Sequence, residues 1–355
     1  MQNNIEYAEG RLPSYTKGWI VRSGANINEN FDSLEWQEAI PIPDLGHHDI
    51  LVKFHAASLN YRDLMVAKGQ YKFGTRENVV PGSDGAGQVV CVGKYVTYFQ
   101  PGDKVVTVFN QKEPVGSTRA ATLGTSFGLG GLHDGTLRQY GVFNEEGLMD
   151  IPSNLSLTEA ATLSCAALTA WNALYGLQPL QPGQVVLTQG TGGVSIFALQ
   201  FSLAAGAMVI ATTSSPEKCS LLKRLGAHHT INYKEDPAWG ATARSLTPAG
   251  QGVDCIVEVG GAATMQQSLN SVRRGGHIEI VGYLGRHFNQ EPVLMEAFRR
   301  LCTVRGVAVG TRQQFSNMLR AIQTNNIKPL IDRKVFRLED AKSAYEYAWN
   351  MGHKA

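Results

Sequence analysis

Twelve residues, Gln184-Val-Val-Leu-Thr-Gln-Gly-Thr-Gly-Gly-Val-Ser195, carry the most specific chemistry in this chain. A β-branched run enters a glycine turn, and Ile196 to Ala205 continues as a helix. A second apolar run, Met208-Val-Ile-Ala-Thr-Thr213, follows where a βαβ crossover would deliver it. Backbone N–H groups at such a helix start hold the pyrophosphate of a dinucleotide. Gly190 allows the tight bend, Gly192 lets the backbone approach phosphate, and Thr191, Gly193 and Val194 complete the turn. The third motif position is Ser195, where the pattern prefers Gly or Ala. A lone glycine triplet is weak, but here strand, helix and second strand stand in order. A nicotinamide or flavin nucleotide is the first expectation.

The second strand settles which nucleotide to expect. An NAD site usually ends that strand on an acid for the ribose hydroxyls, and Ile210-Ala-Thr-Thr-Ser-Ser215 offers none. Ser215-Pro216 reads as an N-cap followed by proline at the first helical position. Lys218 then falls in the first turn, where the helix dipole disfavours a cation. A 2′-phosphate would convert that penalty into a favourable contact, with Ser214 and Ser215 as hydrogen-bond donors, so NADP(H) is expected. The competing reading is a solvated lysine offset by Glu217.

The elements that must position this turn form two rhythms. From Thr16 to about Leu157 the chain shows short alternating strands punctuated by glycine, among them Asp49-Ile-Leu-Val-Lys-Phe-His55 and Gly87-Gln-Val-Val-Cys-Val-Gly93. Their spacing predicts a small barrel or sandwich, with a long loop over 110–133. From Gln181 strands are predicted at 184–188, 208–212, 229–232, 253–259, 276–281 and 303–309, with helices at 193–205, 216–225, 237–247, 263–272 and 291–300. Crossovers of that length predict a parallel, doubly wound six-stranded sheet. Helical patterns at 313–325 and 338–350 are expected to return to the β domain. The expected division is 1–160, 161–310 and 311–355.

Composition narrows the functional class. At 355 residues, two domains are the natural prior. Thirty-two basic against thirty acidic residues leave no field to draw nucleic acid or a membrane surface. The most apolar helical stretch, 160–177, is broken by Thr162, Ser164, Thr169 and Asn172 and reads as a buried helix. Five scattered cysteines without CxxC spacing argue for a reducing compartment, and the first twelve residues lack the apolar core of a signal peptide. A cytoplasmic protein acting on a small molecule is expected.

The chain resembles the medium-chain dehydrogenase/reductase superfamily, in which a GroES-like β domain precedes a Rossmann domain. The resemblance runs from about Thr16 to Met351 and rests on Pro81-Gly-Ser-Asp-Gly-Ala-Gly-Gln-Val-Val90, Pro101-Gly-Asp-Lys-Val105, Ala166-Ala-Leu-Thr-Ala-Trp171 and Gly190-Thr-Gly-Gly-Val194. It is nearest to the zinc-free, quinone-oxidoreductase-like branch. The zinc enzymes hold catalytic metal at positions that fall here on Asn60, Ser83-Asp84 and Cys165, and one thiolate cannot build a site needing three protein ligands. No cysteine lies between Cys91 and Cys165 for a structural zinc lobe. No metal is therefore expected, and Cys165 reads as a packing residue.

Without a Lewis acid an unactivated carbonyl is hard to reduce, whereas an enone, enal or quinone is already electrophilic. The resemblance agrees: it implies NADPH-dependent reduction of a conjugated carbonyl. It matches Asn60 and Tyr61 to the segment lining the nicotinamide end, the amide orienting nicotinamide or substrate and the phenol donating a proton. Structural hydrogen bonding is an equal reading for Tyr61. Asp63 is expected to pin this loop with Arg62 as its partner, and Tyr71, His133 and Tyr283 are further pocket candidates. Tyr233 matches a tyrosine packing near the adenosine phosphate. Gly260, Gly261, Gly282 and Tyr283 lie at strand ends where open α/β sheets bind ligands. The sixth strand often pairs with its twofold mate in this superfamily, which implies a homodimer. Relatives usually finish with a strand after the last helix, whereas this chain stops at Gly352-His-Lys-Ala355, so a shortened chain or a differently closed β domain is expected. Two alternatives remain: a metal-free dehydrogenase or tailoring enzyme acting on a bulky intermediate, and a non-catalytic NADPH-binding protein.

Overall fold

Alternating apolar and polar residues build the first unit from antiparallel strands. The computed structural model describes residues 12–22, 30–111, 128–282 and 295–353. Strands β1 (Tyr15–Val21) and β2 (Leu34–Pro41) pair as a two-stranded sheet. Strand β3 (Asp49–Ser58) leads into helix α1 (Tyr61–Ala67), then β4 (Asp84–Val92), β5 (Lys104–Thr107), β6 (Tyr140–Asn144) and β7 (Leu148–Asp150). These form a five-stranded sheet in the order β6-β3-β4-β5-β7. Ile50, Val52, Val89, Val105, Phe143 and Leu148 supply its core.

The second unit is parallel and doubly wound. It contains α2 (Leu157–Ala160), α3 (Leu168–Tyr175), β8 (Val185–Gln189), α4 (Gly193–Ala204), β9 (Met208–Thr213), α5 (Pro216–Arg224), β10 (His229–Asn232) and α6 (Trp239–Ser245). There follow β11 (Val253–Glu258), α7 (Ala262–Ser271), β12 (Val272–Ile280), α8 (Met295–Arg300), β13 (Thr303–Gly306) and α9 (Arg312–Thr324). The sheet order is β10-β9-β8-β11-β12-β13, every pair parallel. Every residue of β8 is buried, as expected for a central strand covered on both faces. Alternation sorts the cover: Leu187, Ile210 and Ile256 pack with Trp239 and Leu269, while Val209 and Ala211 pack with Ile196, Leu199 and Leu222. Among the described residues no helix is long and apolar enough to cross a membrane.

The six predicted strands are all present, with shifted ends. The fifth starts at Val272 and the sixth stops at Gly306. The domain division also differs. One unit takes the described residues up to Ile151 and then Arg333–Trp349, and the other takes Pro152–Asp332 and the described residues from Asn350. Helix α9 therefore stays in the parallel unit instead of returning. Its stripe of Phe315, Met318, Leu319 and Ile322 is buried, and it packs beside α3. Helix α10 (Ala341–His353) returns as far as Trp349, bringing Ala341 and Tyr345 into a core with Trp19, Phe31, Leu34 and Leu64.

Candidate functional site

The turn after β8 has the space a phosphate requires. Gly190 sits at φ +77°, a left-handed conformation that favours glycine, and its N–H donates to the Thr212 carbonyl at 2.7 Å. A Cβ added at Gly190 or Gly192 would meet nothing within 4 Å, whereas at Gly193 it would lie 3.2 Å from the Ala166 Cβ. The glycines are thus open toward solvent and tight toward the helix behind. Thr191 and Val194 are half-buried at the mouth of this turn. Ser195, the departure from the motif, is buried, and its Oγ donates to the Gln189 carbonyl at 2.5 Å. A hydrogen bond here does the work that close packing of Gly or Ala does in the usual pattern.

A cationic corner stands at the ends of β9 and β10. Ser215 caps α5, its Oγ accepting from the Lys218 N–H at 3.3 Å, with Pro216 at the first helical position. Ser214 is buried just before it. The Lys218 ammonium is pushed below its ordinary value, by partial burial first and then by the charge of Lys234. Lys234 follows Tyr233, whose N–H donates to the Thr213 carbonyl at 2.9 Å. Glu217 does not offset Lys218: no ion pair joins them among the described residues. Its carboxylate is instead held low by backbone amide and Ser215 hydrogen bonds at the helix start. Sequence reasoning missed Lys234, because its approach to Lys218 depends on β10 pairing with β9.

Behind the turn lies a buried carboxylate that the sequence did not flag. Glu258, fully buried at the end of β11, accepts through Oε1 from the N–H groups of Gly260 (2.8 Å) and Gly261 (3.0 Å) and from the Thr264 hydroxyl. Its Oε2 accepts from Gln189 Nε2 (2.8 Å) and Ser268 Oγ (2.5 Å). Gln189 Oε1 in turn accepts from the Val259 N–H at 3.1 Å. Five donors solvate this charge in place of water. The network ties the β8 turn to the β11 turn and fixes Gly260 and Gly261. Gly282 lies one strand further, its added Cβ 3.2 Å from the Val259 carbonyl. Tyr283 lies outside the described residues.

In the first unit the predicted residues gather around α1. Asn60 precedes the helix, its N–H donating to Asp63 Oδ2 at 2.8 Å and its side-chain Nδ2 to Asp84 Oδ2 at 2.7 Å. Arg62 Nη1 donates to Ser83 Oγ (2.8 Å) and the Leu129 carbonyl (2.7 Å), and Ser83 Oγ donates to Asp63 Oδ1 (2.6 Å). Asp63 is fully buried; desolvation pushes its carboxyl up against the opposing pull of Arg62 and these hydrogen bonds. It pins the loop, as expected, and Arg62 reaches it chiefly through Ser83. The Asn60 amide is engaged with Asp84, so it holds the loop as well as offering a donor. Tyr61 is 39% exposed on the first turn of α1. The Arg62 guanidinium stacks on Tyr71 (4.6 Å) and Phe109 (4.9 Å), which places Tyr71 in the packing of this network. His133 is half-buried, its carbonyl accepting from the Gly130 N–H at 2.8 Å.

This donor set differs from the one the zinc enzymes use. Of the positions that the resemblance gives to zinc ligands, three in this unit carry an amide, a hydroxyl and a carboxylate; Asn60 bonds Asp84, and Ser83 is held between Arg62 and Asp63. Catalytic zinc takes three protein ligands from thiolates, imidazoles and carboxylates, and of these three groups only the Asp84 carboxylate is of that kind. A divalent ion here would break the Asn60–Asp84 bond and face a guanidinium. Among the described residues no group of three His, Cys, Asp or Glu side chains could hold a metal. Cys165 is buried in the other unit, on the single π-helical turn Leu163–Ala167.

Two family models match the chain: the alcohol dehydrogenase GroES-like domain over residues 46–153 and the zinc-binding dehydrogenase over residues 193–324. The chain is 43% identical over 328 residues to a zinc-type alcohol dehydrogenase-like protein of Schizosaccharomyces pombe, covering 91% of this chain and 94% of that protein. It is 27% identical over 321 residues to a quinone oxidoreductase of Sus scrofa, covering 88% of each. The crystal structure of an NAD-dependent alcohol dehydrogenase, 30% identical, superimposes with a TM-score of 0.82 over 94% of this chain and 96% of that one.

Proposed function

The chain belongs to the medium-chain dehydrogenase/reductase superfamily of oxidoreductases, and from that premise we propose that it is an NADPH-dependent, zinc-independent reductase of a conjugated carbonyl, an enone, enal or quinone. The pairing of Lys218 with Lys234 beside Ser214 and Ser215 carries the cofactor preference. Two neighbouring ammonium groups suit a 2′-phosphate and gain less from a ribose hydroxyl.

When bound, the nicotinamide supplies a hydride. The chain's own residues do the rest. Gly190, Thr191, Gly192, Gly193 and Val194 receive the pyrophosphate at the start of α4. Ser214, Ser215, Lys218 and Lys234 hold the 2′-phosphate, and Tyr233 flanks it. Glu258, through Gln189, Gly260 and Gly261, keeps this end of the sheet rigid. Tyr61 and Asn60 supply neutral donors for the substrate oxygen, and the Tyr61 phenol gives the proton directly or through water. Neutral donors of that strength match an acceptor that is already electrophilic at its β-carbon. The resemblance to a quinone oxidoreductase supports this substrate class.

Five scattered cysteines without CxxC spacing support a reducing, cytoplasmic setting. Among the described residues β13 is an edge strand, and that edge supports a homodimer. The names of the alcohol dehydrogenase relatives favour a second reading, oxidation of an alcohol. One assay separates them: NADPH consumption across an enone, enal and quinone panel, run beside alcohols with NADP⁺ or NAD⁺. Turnover of the panel with NADPH is expected. Turnover of alcohols alone, or preference for NADH throughout, would overturn the proposal.

A further inference from the structure

The parallel unit carries a polar cavity at the end of its strands opposite the nucleotide turn. Strands β11 and β12 slip register where they begin: Val253 pairs with Val272, but Cys255 pairs with His277. Residues 273–276 therefore stand out of the ladder. Gly275 at φ +71° makes that excursion possible, and at Gly276 an added Cβ would lie 2.9 Å from the Val253 carbonyl. The bulge delivers Arg273 and Arg274 beside Arg244 from α6 and Arg299 and Arg300 from α8. With Gln251 they line a cavity of about 520 Å³.

The charges of this pocket are poorly compensated. Asp254 pairs with Arg273 (2.5 Å) and Glu296 with Arg299 (2.5 Å). Arg244 spends its donors on neutral carbonyls, those of Asn270 (3.0 Å), Gln251 (2.6 Å) and Val272 (2.5 Å). Arg300 donates to the Asn270 side-chain oxygen at 2.8 Å. Among the described residues no acid pairs with Arg244, Arg274 or Arg300. Five guanidinium groups thus face two carboxylates. Hydrogen bonds to neutral oxygens fix the cations in place without neutralising them, a cost that a bound anion offsets. Partial burial, and then the charge of Arg300, loosen the hold of Arg244 on its proton.

We propose that this pocket binds a small polyphosphate anion, free or esterified, through Arg244, Arg273, Arg274, Arg299 and Arg300. Planar guanidinium forks match phosphate oxygens two at a time, and the volume lies within the roughly 300–1,000 Å³ typical of small-molecule sites. The six residues of β11 set it about 20 Å along the sheet from the nucleotide turn, so the two sites do not compete.

The test is calorimetric titration of inorganic tripolyphosphate into the full chain in the presence of excess NADPH, with ATP titrated in a parallel arm. Saturable binding is expected, weakened at least tenfold in Arg274→Ala/Arg299→Ala, whose side chains are exposed and whose loss spares the fold. It should persist in Lys218→Ala and weaken as salt rises. Tighter binding of ATP than of tripolyphosphate would identify the ester as the source; equal binding would identify the phosphate chain alone. Absence of saturable binding, equal affinity in the double variant, or loss in Lys218→Ala would overturn the assignment.

Discussion

At the scale of single residues, Lys218 carries the sharpest prediction. Its ammonium lies in the first turn of α5, where both the helix dipole and Lys234 work against it. A charge-assisted hydrogen bond is worth roughly 1.5–3 kcal/mol, so Lys218→Ala should weaken NADPH binding about 10- to 100-fold and leave NADH nearly unchanged. Fluorescence titration with both nucleotides measures this; equal losses would remove the 2′-phosphate from this corner. Lys234→Ala should lose NADPH affinity in the same direction. Ser195, Ser214, Ser215 and Lys218 were legible because they sit at fixed offsets from one strand–turn–helix. Lys234 and Glu258 were not, because their roles arise only where one strand end meets another. Glu258→Gln should lower stability by about 1–3 kcal/mol, since an amide N–H₂ would confront the N–H donors now satisfied by the carboxylate. Chemical denaturation reads that loss, and an unchanged midpoint would show the network to be dispensable.

At the scale of elements, α1 and α10 meet around buried polar groups. The Asp63 carboxyl titrates above its ordinary value in the fold, chiefly because it is desolvated. The folded state then binds its proton more tightly than the unfolded chain does. Its contribution to stability is full below the unfolded value of about 3.9 and is lost as pH rises through the folded value. Asp63→Asn should therefore remove a falling slope of stability with pH on the acid side of neutrality. Urea midpoints of both proteins between about pH 4 and 7 test the slope, and parallel profiles would refute it. The Tyr345 hydroxyl on α10 is buried without a hydrogen-bond partner among the described residues, while its ring packs edge-on against Phe31 at 5.4 Å. Tyr345→Phe keeps the ring and should be neutral or stabilising by up to about 1–3 kcal/mol. A lower melting temperature would reveal a partner for that oxygen. The same helices show what periodicity can tell. The stripe at Phe315, Met318 and Ile322 announced that α9 buries a face, but nothing local says which unit receives it. Contact across the fold, and not the pattern within either helix, puts α9 with the parallel unit and α10 as far as Trp349 with the β unit.

At the scale of the whole molecule, the unfinished feature is the edge of the parallel sheet. Among the described residues β13 pairs with β12 alone and is an edge strand. Exposed strand edges of this kind invite pairing with another chain. Close to it in the chain Phe298 is 68% exposed, Met295 55% and Leu301 51%, and Val304 is exposed on the strand itself between Thr303 and Arg305. A twofold axis would set β13 antiparallel to its mate and bury the same patch on both subunits. Each Phe298 taken from water contributes about 1.5–3 kcal/mol, and twofold symmetry counts it twice. Light scattering should therefore give twice the chain mass at micromolar concentration. Phe298→Asp, placing two like charges across the axis, should shift the equilibrium to monomer. Because Phe298 is solvent-exposed in the single chain, that variant should still fold and bind NADPH. A wild-type protein of single-chain mass, or a Phe298→Asp variant as dimeric as the wild type, would move the subunit contact away from β13.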